Sequence, residues 1–185
     1  METKRSYFCA AAIAATGLLL GGWLGKLAGF LGLGWLLKLA LAACDQAETD
    51  SLTGLKNRRC LSRMESEYYP AVPNIGVIFL DLNQLKQTND TRGHKDGDCR
   101  LTALASVLAA QPSCTAFRFG GDEFLLIAEN IPQEALEGLM QDILSHPHIH
   151  AAAGYALGPG NALSRLIAEA DAAMGQYKAS ESGSR

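Results

Sequence analysis

Hydrophobic positions follow two regimes along the chain. From Tyr7 to Ala43 they are nearly continuous, and from Asp50 onward they become periodic. In 57–69, Leu61, Met64 and Tyr68 recur at helical spacing, which predicts a helix with one apolar face. The run IGVIFLDL (75–82) is short, almost wholly apolar and rich in β-branched residues, so it predicts a buried strand. A short helix over 83–91 and a turn at RGHKDGD (92–98) follow. Leu101, Leu104, Ala105 and Leu108 then mark a helix running to Ala110. TAFRF (115–119) and EFLLIA (123–128) predict two strands joined by a Gly120-Gly121 hairpin. Pro132 opens another helix, with Leu136, Leu139, Met140 and Ile143 on one face. HIHAAAGYAL (148–157) predicts a strand, and 162–179 a final amphipathic helix. The class is α/β (α+β), with a mixed or antiparallel central sheet flanked by helices.

The first regime carries only Lys26 and Lys38 as charges between Tyr7 and Ala43. One helix over these 37 residues would reach roughly 55 Å at ~1.5 Å per residue. That overshoots a hydrocarbon core of about 30 Å. Two spans fit better, roughly 7–24 and 27–43, turning at Gly25-Lys26. Lys4 and Arg5 favour a cytoplasmic N-terminus, so two spans return the chain to the cytoplasm. A single span with a second, interfacial helix is the alternative. Gly17, Gly21, Gly25 and Gly29 recur every fourth residue. That spacing suits close helix packing, although glycine is also simply common in membrane spans. The expected organisation is a membrane anchor at 1–43, a linker at 44–49 and one domain at 50–185.

Charge separates the two parts further. Residues 44–185 keep 12 of the 16 Lys and Arg but 18 of the 19 Asp and Glu, a net charge of −6. So acidic a domain is a poor polyanion binder, which argues against a nucleic-acid partner. The five cysteines show no CxxC or Cys/His metal spacing and fit a reducing compartment.

Candidate chemistry gathers where apolar strands meet carboxylates. Asp81 ends one strand, and Asp122 and Glu123 begin another at a tight turn. A carboxylate at the end of a buried run is costly unless it is paired or coordinates a metal. If the two strands are neighbours, Asp81 and Asp122 converge, with Glu123 close by. Oxygen ligands without His or Cys suit a hard cation, Mg²⁺ or Mn²⁺. The reaction expected of such a site is metal-assisted phosphoryl or nucleotidyl transfer.

Four blocks, DSLTGLKNRR (50–59), FLDLNQLKQTNDTRGHKDGD (79–98), RFGGDEF (118–124) and ADAAM…K (170–178), resemble those of the GGDEF-domain diguanylate cyclases, and in the same order. The resemblance implies a fold like the palm of nucleotidyl cyclases and polymerases. It implies condensation of two GTP into cyclic di-GMP with release of two pyrophosphates. Asp81, Asp122 and the carbonyl of Leu82 would then hold two Mg²⁺ or Mn²⁺ per active site. Glu123 would position or deprotonate the attacking 3′-hydroxyl, and Gly120 and Gly121 would leave room for phosphates. Asn89 and Asp98 would read the guanine edge, whose adjacent N–H donors suit a carboxylate. Lys86 and Lys178 would face the triphosphate. His94 would fix its turn, and Arg58 and Arg59 would brace the segment leading into the domain. Each domain binds one GTP, so catalysis would require a homodimer, at a bacterial inner (cytoplasmic) membrane with the domain facing the cytoplasm.

Three departures qualify the resemblance. QPSC (111–114) stands where the family's inhibitory RxxD would be, so product inhibition through that site is expected to be lost. In the last helix Gly175 replaces a tyrosine, Tyr177 an alanine and Ser182 a phosphate-contacting arginine, while Lys178 is kept. Only 45 residues separate Phe124 from Ala170, and AAAGYA replaces the usual strand there. These features predict slow turnover or a high KM. They also motivate an alternative, a catalytically weak or silent domain that binds GTP or protein partners.

Overall fold

A computed structural model describes residues 30–39 and 47–183, with side chains described as far as residue 179. The chain divides into two compact units, Met1–Ala47 and Glu48–Arg185. In the first, residues 30–39 form a helix that exposes Phe30, Leu31, Leu33, Trp35 and Leu37. Among the described residues, no helix is long and apolar enough to cross a membrane. The expected spans at 7–24 and 27–43 lie largely outside the described residues.

The second unit is built on a five-stranded sheet in the order β1-β3-β4-β2-β5. Its strands are β1 (Lys56–Asn57), β2 (Ile75–Leu82), β3 (Cys114–Arg118), β4 (Glu123–Glu129) and β5 (Ala151–Gly158). β1 runs parallel to β3, and every other pairing is antiparallel. β2 lies between β4 and β5 and is buried on both faces, which is why IGVIFLDL is apolar without alternation.

Helices cover both faces. On one, α3 (His94–Ala109) and α4 (Gln133–Leu144) set Leu101, Leu104, Leu108, Leu136 and Ile143 against Ile78, Leu80 and Leu126. On the other, α1 (Arg58–Glu67) and α5 (Leu163–Gly183) bring Cys60, Leu61, Leu166, Ala170 and Met174 against Val77, Phe79, Leu125 and Ile127. The short helix α2 (Leu85–Arg92) links the end of β2 to α3. Burying each large aliphatic side chain contributes about 1.5–3 kcal/mol, so these two layers are the main source of the unit's stability.

Local signals explain the boundaries. Asn57 caps α1, its side chain accepting from Arg59 N at 2.9 Å and Cys60 N at 3.1 Å, a contribution of about 1 kcal/mol. Gly93, at φ +87°, separates α2 from α3, a left-handed region open to glycine at little cost. α3 therefore begins at His94, and the turn expected across 92–98 shrinks to this one residue. β5 begins at Ala151 rather than at 148. At Gly154 a Cβ would strike Met174 N and Ala170 O, so β5 and α5 pack backbone against backbone.

Candidate active site

The β2–β4 pairing sets Asp81 directly opposite Glu123. Leu82 N donates to Asp122 O at 3.1 Å, so strand ends 41 residues apart in sequence form one patch. Side chains alternate across a strand, which puts Asp81 on the face of Val77 and Phe79, and Glu123 on the face of Leu125. Both belong to the layer covered by α5. From that helix Lys178 Nζ donates to Asp81 Oδ1 at 2.7 Å, with side chains 39% and 19% exposed.

Negative charge is crowded here. Burial pushes the Glu123 carboxyl above the ordinary carboxylate range, Asp122, Asp81 and Asp171 push it further, and Arg58 opposes them. Among the described residues, no group of three or more His, Cys, Asp or Glu is arranged as a ready-made metal cage. The donor set offered by Asp81, Asp122 and the Leu82 carbonyl is two carboxylates and one neutral oxygen. That oxygen-only set fits Mg²⁺, which usually takes one or two carboxylates together with substrate phosphates. The mutual repulsion around Glu123 also fits a site completed by added positive charge.

The hairpin owes its shape less to glycine conformation than the Gly-Gly pair suggests. Neither Gly120 nor Gly121 has a positive φ. A Cβ on Gly120 would run into the Glu123 carboxylate, whereas Gly121 faces open space. Phe119 N and Gly120 N both donate to Glu123 O, at 2.8 and 3.2 Å. Arg118 then fixes the loop from below, donating to Gly121 O at 2.7 Å and to Asp50 Oδ1 at 3.0 Å. Asp50 also accepts from Thr53 N at 2.9 Å and from Thr53 Oγ1 at 2.7 Å. Arg58 lies over the Phe119 ring at 4.6 Å, and Phe119 meets Phe79 edge-on at 5.6 Å. The DSLTGLKNRR segment thus braces the acidic turn through Asp50 and Arg58. Sequence reasoning assigned no role to Asp50, Arg118 or Phe119, although all three lie inside the quoted blocks.

The residues expected to read guanine form a second group. Asn89 lies within α2, and its Oδ1 is buried without a hydrogen-bond partner. Gly97 of α3 faces that oxygen so closely that a Cβ would collide with it. The two helices therefore touch where Asn89 and Gly97 meet, and the exposed Asp98 follows one residue later. Asn89 is no helix end and Asp98 is no helix cap, since α2 continues to Arg92 and α3 starts at His94. Lys86 is exposed in the first turn of α2, and His94 is the first residue of α3.

The family described as "Diguanylate cyclase, GGDEF domain" matches residues 47–184. This chain belongs to the GGDEF domain family. Its relatives include DgcS of Shewanella oneidensis, named a diguanylate cyclase, 34% identical over 152 residues that make up 73% of this chain and 51% of that protein. PdeR of Escherichia coli, named a cyclic di-GMP phosphodiesterase, is 35% identical over 74% of this chain and 23% of its own length. The chain thus spans about half or less of these curated relatives. The crystal structure of the coiled coil and GGDEF domain of DgcB from Caulobacter crescentus, in complex with c-di-GMP, superposes with a TM-score of 0.69 at 26% identity. It covers 86% of this chain and 94% of that one.

Within this GGDEF domain the segments read as departures from the family's pattern have definite places. Residues 111–113 lie between α3 and β3, where Ser113 takes a positive φ of 58°, and Cys114 opens β3. Gly175 and Tyr177 lie on α5, with Tyr177 exposed. Ser182 falls on the same helix, beyond the residues whose side chains are described.

Proposed function

We propose that the protein is a membrane-anchored diguanylate cyclase, condensing two GTP into cyclic di-GMP with release of two pyrophosphates. The observation that carries this reading is the convergence of Asp81, Leu82, Asp122 and Glu123 at the paired ends of β2 and β4, in a chain of the GGDEF family.

Asp81, Asp122 and the Leu82 carbonyl are the oxygen ligands for divalent cations. Two such cations, when bound, neutralise the triphosphate and ease ionisation of the attacking 3′-hydroxyl. Glu123, with its proton affinity raised by burial and by its acidic neighbours, is suited to accept the hydroxyl proton or to orient the hydroxyl. Lys178 is held at Asp81 and turns to the triphosphate when nucleotide is present, with Lys86 as a second cation. The orphaned Oδ1 of Asn89 is an acceptor awaiting a donor, and Asp98 supplies a carboxylate nearby. Guanine offers adjacent N1–H and N2–H₂ donors and adenine does not, so the pair selects GTP.

Each domain presents one set of these residues, so two chains must face each other for the bonds to form. The apolar segment at 7–43 anchors the chain in the bacterial inner membrane, with the domain in the cytoplasm. Confinement to a surface raises the effective concentration of facing domains.

The test is incubation of the full chain in detergent with GTP and Mg²⁺ or Mn²⁺, with chromatography of the products. The expected product is cyclic di-GMP, absent with Asp122→Ala. No cyclic dinucleotide over a wide range of protein concentration would remove the enzymatic reading. A specific observation favours a second reading: the segment also matches PdeR, named for phosphodiesterase activity. Under that reading the domain binds GTP without turnover and signals by contact. GTP binding without product, and a cellular effect that survives Asp122→Ala, would select it.

A further inference from the structure

On the far side of α2 lies a cleft of about 600 Å³ that the proposed reaction does not use. Its floor is Arg100 of α3, whose guanidinium donates to Thr88 Oγ1 at 2.7 Å, Asn83 O at 2.8 Å and His150 O at 3.4 Å. Every one of these acceptors is neutral. Arg92, at the end of α2, lines the same cleft, as do His148 and His150 from the segment before β5. None of the ion pairs among the described residues involves Arg92 or Arg100, and no carboxylate lines the cleft. Within residues 44–185, whose net charge is −6, this is a basic concavity with no carboxylate in its lining.

We propose that this cleft binds a small phosphate-bearing anion. A guanidinium presents a planar fork of donors matched to phosphate oxygens, and charge-assisted bonds of this kind are roughly twice as strong as neutral ones. Arg100 already commits three of its five N–H donors to neutral oxygens, so it brings a fixed positive charge with two donors left, and the free fork comes from Arg92. Arg92, the two imidazoles and the amide of Gln87 supply donors around the other oxygens. A phosphate group, with three or more acceptor oxygens, can use several of these donors at once. The lining is polar and open, so the ligand needs no large apolar body. The cleft is distinct from the acidic patch, because Gln87, Thr88 and Thr91 mark one stripe of α2, with Gln84 just before it, while Asn89 turns toward Gly97. Its walls are nonetheless the two helices that carry Asn89 and Asp98. Any effect of the bound anion on GTP affinity rests on the function proposed above. The binding itself does not.

The test is isothermal titration of the full chain in non-ionic detergent, with EDTA and without GTP. Inorganic phosphate, pyrophosphate and adenosine monophosphate, whose base the guanine-reading pair does not take, are titrated separately, with citrate as a carboxylate control. The expected result is saturable binding of at least one phosphate compound, weakened about tenfold or more by Arg92→Ala and by Gln87→Glu. Lys178→Ala and Asp122→Ala should leave it unchanged. Tightest binding of adenosine monophosphate would identify a nucleotide as the source of the phosphate; tightest binding of phosphate or pyrophosphate would identify a free anion. Arg92 and Gln87 are exposed, and an unchanged melting temperature would show that both variants fold. Three outcomes would overturn the proposal: no saturable binding up to about 10 mM, binding that survives both cleft variants, or binding of citrate alone. Since calorimetry needs no turnover, an inactive cyclase would leave this result readable.

Discussion

From the end of β2 the chain serves two neighbourhoods of opposite charge. Asp81 turns to the α5 face and joins Asp122, Glu123 and Asp171, with Lys178 as the counter-charge. Two residues on, Asn83 gives its carbonyl to Arg100 at the floor of a cleft that holds two arginines, two histidines and no acid. The acidic group is half-buried at Asp81, Asp122 and Glu123, and hydrogen bonds, a lysine and a braced hairpin hold it in place. The basic group is open, and of its cations only Arg100 is tied down, by neutral oxygens. The difference teaches that overall charge is a poor guide to local partners. A stretch of net charge −6, residues 44–185, can present one site that calls for cations and another that calls for anions.

Removing a proposed metal ligand should separate the two groups most sharply. Asp122→Ala is expected to lower cyclic di-GMP formation by at least about 10²-fold while leaving phosphate titration of the basic cleft untouched. Equal losses at both sites would mean that the acid supports the fold rather than the chemistry. Arg118→Ala should come next. It frees Gly121 O and leaves Asp50 without its guanidinium, at about 1–3 kcal/mol of stability. A fall in kcat of about tenfold or more with little change in KM would identify Arg118 as a positioning residue for the turn. Wild-type kinetics with a lowered melting temperature would make it merely structural.

Gly97→Ala probes the wall between the two neighbourhoods. The added Cβ displaces Asn89 Oδ1, an overpacking of about 1–3 kcal/mol, and should raise the KM for GTP about tenfold with a smaller change in kcat. An unchanged KM would remove Asn89 from guanine recognition. The smallest effect expected is on acid stability. Burial alone would raise the Asp50 carboxyl, but hydrogen bonds from Thr53 and Arg118 outweigh it and hold the carboxyl below its ordinary 3.8. A depressed carboxyl contributes stability above its unfolded pKa and loses it as pH falls through the folded value. Asp50→Asn should therefore flatten the fall of melting temperature below about pH 3.8 and leave its slope near neutrality unchanged. A wild-type acid limb in the variant would show that Asp50 is not the group responsible.

The elements that sequence alone reveals are those whose signal is local. β2 was legible to the residue because a strand buried on both faces leaves no polar interruption. The convergence of Asp81 and Asp122 followed from the single supposition that their strands are neighbours, which the register bears out. β1 stayed hidden because two residues have no periodicity, and its pairing with β3 joins segments about 60 residues apart. The start of α3 was misjudged because the glycines in RGHKDGD read as a turn. Gly97 instead serves the close approach of Asn89, a fact about another helix. Arg118, Asp50 and Arg100 were passed over for the same reason, since each has a defining partner 12 to 68 residues away.

The bare Cα of Gly154 has a meaning beyond packing. Because β5 rests directly on the Ala170–Met174 stretch of α5, the height of that helix above the sheet is set by one absent methyl group. Lys178 stands one turn beyond Met174, and Asp171 stands just before it. The position at 154 acts as a depth gauge for the charges opposite Asp81. Any side chain there would raise the whole helix and misplace its lysine, so the tolerance of the core and the tolerance of the chemistry are one mechanical dimension.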